Sequence, residues 1–142
     1  MTEAQRAELL AMRKALDGLV GKIAGNTAEI NENMVAVRQW EPGAYVAGDV
    51  RMYGGMPYKC IQAHDSTGNS AWNPADVPAL WMQYHGTSAE TARPWIAPTG
   101  AHDAYRAGEY MVWNDGNVYK CMTQTNFSPT EYPQAWVKVT EV

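Results

Sequence analysis

The stretch that decides the fold occurs twice, at residues 45–60 as YVAGDVRMYGGMPYKC and at residues 105–121 as YRAGEYMVWNDGNVYKC. Both copies pass from Tyr through Gly and an acidic residue into a hydrophobic run, and both end on Tyr-Lys-Cys. A closing segment also repeats, as NPADVPALW at 73–81 and SPTEYPQAW at 128–136. Repetition with a period of about 60 residues predicts two related modules rather than one core.

Each copy has the pattern of a strand, a tight turn and a returning strand, and a third short strand closes the unit. The turns are Gly54-Gly55 in the first copy and residues 114–117 in the second. Large aromatic rings bury roughly 150–250 Å² each, so most of them are expected to stabilise these small cores. The predicted strands of the first module are Asp49 to Tyr53, Pro57 to Ala63 and Leu80 to Gln83, and the second module closes with Ala135 to Val139.

The composition changes sharply at Trp40. No Trp, Tyr, Phe, Pro or Cys precedes it, whereas all six Trp, eight Tyr, eight Pro and the one Phe lie from Trp40 onward. This boundary predicts a fold that is mainly β with an N-terminal α-helix. The expected segments are a stalk at 1–38, a first module at 39–84, a linker at 85–94 and a second module at 95–142.

The N-terminal segment carries a seven-residue repeat, which predicts a parallel coiled coil over residues 3–38. One stripe of this length cannot bury itself on so small a chain, so partner helices are required and we expect a homotrimer. The predicted seam has Leu9, Leu16, Ile23, Ile30 and Val37 at position a, and Met12, Leu19, Asn26 and Asn33 at position d.

Residues 23–33, IAGNTAEINEN, fit I-x-x-N-T-x-x-I-x-x-N. This stretch resembles the asparagine-at-d motif of trimeric stalks in adhesins and phage fibres. The resemblance implies that Asn26 and Asn33 face the threefold axis and bind chloride ions there. An unpaired buried amide costs about 1–3 kcal/mol, which a shared anion would relieve. The alternative is that both asparagines fray the helix, which Gly18, Gly21 and Gly25 weaken further.

The two modules resemble carbohydrate-binding modules of families 5 and 12, the small chitin-binding domains of chitinases. The likeness is carried by Tyr, Gly-Asp, a hydrophobic strand, a turn, Tyr-Lys-Cys and a closing Pro and Trp, and it is strongest in the first module through Trp72-Asn73-Pro74. The second module resembles a variant common in phage tail and virion proteins. Both resemblances imply a small β fold that binds glycans.

The family usually places two adjacent exposed aromatic residues after the second strand, where this chain has Ile61-Gln62 and Met122-Thr123. Trp72 and Phe127 are therefore the main candidates for a ring that stacks on a sugar. Trp72 has the alternative of plugging a core or a subunit interface. The candidate glycan-binding residues are Trp72, Phe127, Tyr53 and Trp113.

Other partners and chemistry are disfavoured by the sequence. The net charge of -4 with no basic block argues against nucleic acid. No apolar run approaches the roughly 20 residues of a membrane span, and the charged N-terminus does not resemble a signal peptide. Cys60 and Cys121, each in a Tyr-Lys-Cys string, are expected to be buried in separate cores rather than bridged.

Catalysis is not expected either. His64-Asp65 and His102-Asp103 lack the clustered ligands of a metal site and are interpreted as loop residues that cap turns. No nucleophile elbow or phosphate-binding loop is present. We therefore expect no enzyme, no metal and no cofactor beyond chloride on the stalk axis.

Together these features predict a non-enzymatic virion protein of a tail, fibre or decoration, made in the host cytoplasm without a cleaved signal. Its partners would be two further copies of itself, other virion proteins and a host cell-surface polysaccharide. Trimeric display would multiply weak contacts. One alternative is a purely structural virion protein that binds no sugar. A second is an accessory chitin-binding module of a polysaccharide hydrolase, which the lack of a catalytic motif disfavours.

Overall fold

Thr2 starts the first helix, α1 (Glu3–Ile23), in the computed structural model, which describes residues 1–139. The Thr2 hydroxyl accepts a hydrogen bond from the Gln5 backbone N–H at 3.0 Å, and the Gln5 side chain accepts one from the Thr2 N–H at 2.9 Å. This reciprocal pair is a capping box, which satisfies two donors that a helix start leaves open.

The prediction of one helix over 3–38 is wrong beyond Ile23. Asn26 begins a second helix, α2 (Thr27–Glu32), and its side-chain oxygen accepts the Glu29 backbone N–H at 3.1 Å. Asn33 ends α2, and its side-chain amide donates to the Glu29 carbonyl at 2.8 Å. Asn favours helix ends because its short side chain competes for backbone groups. The predicted chloride site requires Asn26 and Asn33 to lie at position d of one continuous helix, and this break interrupts that helix.

The predicted seam divides at the same place. Leu9, Met12 and Leu19 on α1 are exposed, and Leu16 is half-buried. The later seam residues, Ile23, Ile30 and Val37, are buried within the chain itself. Only the first part of the seam is therefore open to another helix.

Two arginines hold α1 against the segment that follows it. Arg13 bonds to the Ala36 carbonyl, at the end of a 3-10 turn over Met34–Ala36, and to the Asp17 carboxylate. Arg38 donates to both carboxylate oxygens of Asp17 at 2.9 and 3.1 Å. The hydrogen bonds from Arg38 hold the pKa of Asp17 below its ordinary value. This packing, rather than a straight stalk, ends the N-terminal segment.

The chain divides into two units, Met1–Met82 and Gln83–Val142. In the first, β2, β3 and β5 form a three-stranded sheet in that order, and β1 pairs antiparallel with β4. The Gly54-Gly55 turn joins β2 to β3, with both glycines at positive φ, as the sequence predicts. The strands are β1 (Ala44–Tyr45), β2 (Val50–Tyr53), β3 (Met56–Cys60), β4 (His64–Asp65) and β5 (Trp81–Gln83).

The second unit has a four-stranded sheet in the order β6-β7-β8-β9. The strands are β6 (Arg93–Pro94), β7 (Tyr110–Val112), β8 (Val118–Cys121) and β9 (Trp136–Lys138). The last three strands are the predicted antiparallel module, and β6 adds to β7 in parallel. Residues 140–142 of the predicted second module lie outside the described residues.

Residues 85–94, expected to be a linker, pack within the second unit instead. Gly86 forms a bridge with Tyr110, and the buried Arg93 guanidinium donates to the Tyr84 carbonyl at 2.5 Å. The Trp95 N–H then donates to the Val112 carbonyl at 2.9 Å, which continues the β6 pairing. The first unit repeats this edge, because Gln39 bridges Met52 in parallel. Each module therefore begins with an Arg-x-Trp edge, at Arg38 and Arg93.

Each unit has its own aromatic core. Tyr45, Tyr58, Cys60 and Trp81 are buried together in the first, and Tyr105, Met111, Cys121, Ala135 and Trp136 in the second. The two free thiols lie in separate cores, as predicted. Burial raises the pKa of the Cys121 thiol to about 11 and also raises that of Cys60. Across residues 1–139, no helix combines the length and apolar character needed to cross a bilayer.

Candidate functional site

Trp72 lies on an ordered surface loop between β4 and β5, residues 66–80, which we call the Trp72 loop. Its side chain is 43% exposed. On the side before it, the Asn69 carbonyl accepts the Trp72 N–H at 3.3 Å, and the Asn69 side chain accepts the Ala71 N–H at 3.1 Å. These bonds fix the backbone on the N-terminal side of the ring.

Asn73 fixes the other side of the ring. It is buried, and its side-chain oxygen accepts the backbone N–H groups of Ala75 and Asp76, both at 3.0 Å. Its amide nitrogen donates to the Asp76 carboxylate at 2.9 Å. An Asn with both ends satisfied makes a rigid turn. Trp72 is therefore an exposed indole on a backbone held from both directions.

The start of the loop is anchored to the strand region. The buried Ser66 donates its N–H to the Gly43 carbonyl at 2.8 Å, and its hydroxyl accepts the Gly43 N–H at 3.1 Å. Asp65 accepts the hydroxyl of Thr67 at 2.6 Å and its N–H at 2.9 Å. Both hydrogen bonds lower the pKa of the Asp65 carboxyl, and the bond from the Thr67 hydroxyl has the larger effect. The loop therefore begins at a capped turn that is bonded to Gly43.

Phe127 is the counterpart of Trp72, since each stands nine residues before the closing Trp of its module. Its side chain is 56% exposed. Its N–H donates to the Thr125 hydroxyl at 3.0 Å, and its carbonyl accepts the Trp136 indole N–H at 2.9 Å. The Phe127 ring is therefore also attached to a backbone that is held by hydrogen bonds.

Tyr53 and Trp113 lie in a different setting from these two residues. Each is half-buried and packs against the core of its unit. The Tyr53 ring meets Trp40 edge-on at 5.7 Å, and the Trp113 ring meets Trp95 edge-on at the same distance. Such edge-to-face pairs stabilise a core margin. Trp72 and Phe127, by contrast, enter no aromatic pair among residues 1–139.

Tyr132 is not among the residues predicted from the sequence, although it is 40% exposed and follows Phe127 across one turn. The Ser128 hydroxyl accepts the Glu131 N–H at 3.2 Å, and the Glu131 carboxylate accepts the Ser128 N–H at 3.1 Å. This turn matches the one that Asn73 forms with Asp76. The signal was present in the closing segments, where EYPQAW replaces DVPALW and puts a ring in place of Val77.

The aspartates of the two His-Asp pairs cap turns, as predicted, whereas His64 lies in the short strand β4 and not in a loop. Asp103 accepts bonds from the Thr99 N–H, the Thr99 hydroxyl and the Gly100 N–H, all at 2.9 Å. His64 packs edge-on against the Trp81 ring at 5.7 Å and bonds to the Gln62 carbonyl at 2.8 Å. Among the described residues, no three His, Cys, Asp or Glu side chains group to hold a metal ion.

Residues 38–82 match the family model of carbohydrate-binding module family 5/12, and the match starts at Arg38, where the structural repeat begins. The predicted resemblance is thereby confirmed for this segment. Trp72 and both of its flanking asparagines fall inside the matched residues. The match therefore covers the whole Trp72 loop and leaves Phe127 and Tyr132 outside it.

Several curated proteins are similar to part of the chain. Chitinase Chi52 of Paenibacillus xylanexedens is 45% identical over 65 residues, 44% of this chain and 12% of that protein. Streptogrisin-C of Streptomyces griseus is 53% identical over 45 residues, covering 31% and 9%. Chitinase D of Niallia circulans is 43% identical over 61 residues, covering 42% and 11%. The chain thus spans only a small share of the length of these relatives.

Among solved structures, a family GH18 chitinase from Chromobacterium violaceum aligns with 43% of this chain and 16% of its own. The aligned residues are 34% identical and the TM-score is 0.32. A score of this size does not establish a shared fold.

Proposed function

We propose that residues 38–82 bind chitin, with the Trp72 indole stacked on the sugar rings. The observation that carries the proposal is an exposed indole on a rigid loop inside the segment that matches carbohydrate-binding module family 5/12. Pyranose rings present C–H faces to which a flat aromatic ring is complementary, while the indole N–H can meet a sugar hydroxyl or water. Two of the similar proteins are chitinases.

The fixed backbone around Trp72 supports binding rather than a role as a plug in the chain's own core. Bonds from Asn69 and Asn73 order the loop before any ligand arrives. Less conformational entropy is then lost when a sugar binds, which raises affinity. One exposed ring gives a weak site, so retention on an insoluble polymer would depend on several sites acting together.

Retention on insoluble chitin tests this proposal. We expect Trp72→Ala to lose most of the retention and Trp72→Phe, which keeps a flat ring, to keep a large part of it. Val46→Ala is the matched control, since it also removes an exposed apolar side chain from the first unit. Equal retention by Trp72→Ala and the wild type would reject Trp72 as the platform.

For the biological setting, we propose a homotrimer that works by binding alone and displays these modules on a virion. The support is the exposed Leu9, Met12 and Leu19 stripe on α1, together with the resemblance of the second module to a variant common in phage tail and virion proteins. A purely structural virion protein would share the trimer but lack retention on chitin or host cell wall.

The accessory module of a polysaccharide hydrolase is a second candidate, favoured by the chitinases among the similar proteins. The two settings differ in what chitin binding does. An accessory module increases hydrolysis of insoluble chitin by a catalytic domain fused to it. A virion module adsorbs particles to the host surface, and soluble chitin fragments would compete with that adsorption.

A further inference from the structure

We infer that residues 83–139 carry a second polysaccharide-binding site, in which Phe127 and Tyr132 present their rings to the same class of ligand. The family match ends at residue 82, so this site lies outside it. The inference rests on the proposed function, because it transfers sugar stacking from the first unit to the second.

The backbone frames of the two units correspond bond by bond. Gly48 donates to Cys60 at 2.8 Å and Cys60 donates to Asp49 at 2.7 Å; Gly108 donates to Cys121 at 2.9 Å and Cys121 donates to Glu109 at 2.7 Å. The next residues repeat this, because Ile61 donates to Leu80 at 2.9 Å and Met122 to Ala135 at 2.7 Å. The second unit is therefore a second copy of the fold around the Trp72 site.

The ring-bearing turn corresponds as well. Asn73 in the first unit and Ser128 in the second each accept a backbone N–H three residues ahead, from Asp76 and Glu131. The exposed ring stands immediately before this capping residue in both units, as Trp72 and as Phe127. The position of the ring and the capping bond beside it are thus shared by the two units, while the ring changes from an indole to a phenyl group.

The second unit supplies an additional ring. The Tyr132 N–H donates to the Ser128 carbonyl at 2.8 Å, so Phe127 and Tyr132 leave the two ends of one capped turn. Their exposed fractions are 56% and 40%. Phe127 offers only a flat apolar face, whereas Tyr132 adds a hydroxyl that can bond to a sugar. Two rings on a fixed turn suit a chain of β-linked pyranose units, and we take chitin fragments as the ligand.

Titration calorimetry of the full chain with soluble N-acetylglucosamine hexamer separates the two sites. We expect two binding events per wild-type chain, one in Trp72→Ala and one in the double variant Phe127→Ala/Tyr132→Ala. The variant with all three substitutions should bind none. Tyr132→Phe, which keeps the ring, should weaken the second site by less than Tyr132→Ala, for which about a tenfold loss is expected.

Controls keep folding out of the comparison. Val137→Ala removes another exposed apolar side chain of the second unit and should leave both events intact. The substitution of Phe127 keeps the carbonyl that accepts the Trp136 N–H, so near-ultraviolet circular dichroism should match the wild type. If the double variant loses its near-ultraviolet signal, the calorimetry is done with Tyr132→Ala alone.

The outcomes distinguish this inference from the proposed function. A wild type with one event that Trp72→Ala abolishes would overturn the second site and leave the first. A wild type with one event that only Phe127→Ala/Tyr132→Ala abolishes would overturn the Trp72 platform and leave the second site. Binding to other proteins without any oligosaccharide binding would overturn both.

Discussion

The indole N–H of Trp136 donates a 2.9 Å hydrogen bond to the carbonyl of Phe127, which ties the closing strand of the second unit to its exposed ring. Trp81 is the counterpart of Trp136, and it is buried to a similar degree. Its indole nitrogen, however, has no hydrogen-bond partner among residues 1–139. The two modules thus share a fold but hold their ring-bearing loops differently.

This difference predicts unequal costs for the same substitution. Trp136→Phe removes a donor and leaves the Phe127 carbonyl without its partner, while Trp81→Phe removes a buried N–H that made no bond. Both lose similar ring volume. We expect Trp136→Phe to cost about 1–2 kcal/mol more of the free energy of unfolding than Trp81→Phe. Urea denaturation followed by circular dichroism measures both, and equal costs would contradict the prediction.

The hairpins could be predicted because their signals are local. Gly54-Gly55 and the Asn-Asp-Gly-Asn turn fix where the chain reverses, and the repeated Tyr-Lys-Cys fixes the register of the returning strand. The candidate rings followed from the same repeat. Trp72 and Phe127 stand next to turn-forming residues, which made them candidates for exposed rings, whereas the alternative of Trp72 as a core or interface plug could be decided only from the fold.

Two features could not be predicted, for different physical reasons. The helix breaks at Asn26, but the seven-residue spacing of apolar residues continues beyond it. It continues because Ile30 and Val37 are buried in the chain's own core. Strand β6 is only two residues long, and one of them is Pro, so it has no alternation to detect. Its pairing with β7 depends on contacts between residues far apart in the sequence. The repeat of Arg-x-Trp at residues 38 and 93 was the one signal that could have indicated this edge strand.

Gly48 predicts a large effect from a small substitution. Its φ is +100°, a conformation that L side chains rarely adopt, and its N–H closes the turn onto the Cys60 carbonyl. Gly48→Ala should destabilise the first unit by about 1–2 kcal/mol. Gly18→Ala is the matched control, because Gly18 lies inside α1 with open space around it. That control should stabilise the helix by up to about 1 kcal/mol, and thermal unfolding should show shifts of opposite sign.

Asp103 predicts a pH-dependent stability. Burial alone would raise its pKa, but hydrogen bonds from Thr99 and Gly100 outweigh it and hold the pKa below its ordinary value. Since the folded pKa is below the unfolded value of about 3.9, the stabilisation is complete above that pH and is lost as pH falls through the folded pKa. Asp103→Asn should cost about 1 kcal/mol at neutral pH.

The gap between wild type and Asp103→Asn should then close in strongly acidic solution, which urea titrations at a series of pH values would follow. Glu90→Gln is the control, because Glu90 is an exposed carboxylate without a hydrogen bond among the described residues. It should show little difference at any pH. A gap for Asp103→Asn that persists at low pH would contradict the assigned carboxylate role.

The exposed stripe on α1 predicts self-association through the first part of the seam alone. Leu9, Met12 and Leu19 keep the a and d spacing, whereas the seam beyond the helix end is buried in the chain itself. An exposed row of large apolar side chains is unfavourable in water, and two further copies of the helix would cover it. The segment from Glu3 to Ile23 is long enough for three heptads, so a short and weak bundle is expected.

Light scattering on the full chain should therefore give the mass of three chains at high concentration, and Leu9→Glu/Met12→Glu should shift it to one chain. Leu10→Glu is the matched control, because Leu10 is more exposed than Leu9, at 65% against 49%, yet lies off the seam. A charge at Leu10 should leave the trimer intact, since a coiled coil buries positions a and d and leaves the next position in solvent. Dissociation by Leu10→Glu as well would indicate unspecific apolar contact, and a wild type with the mass of one or two chains would reject the trimer.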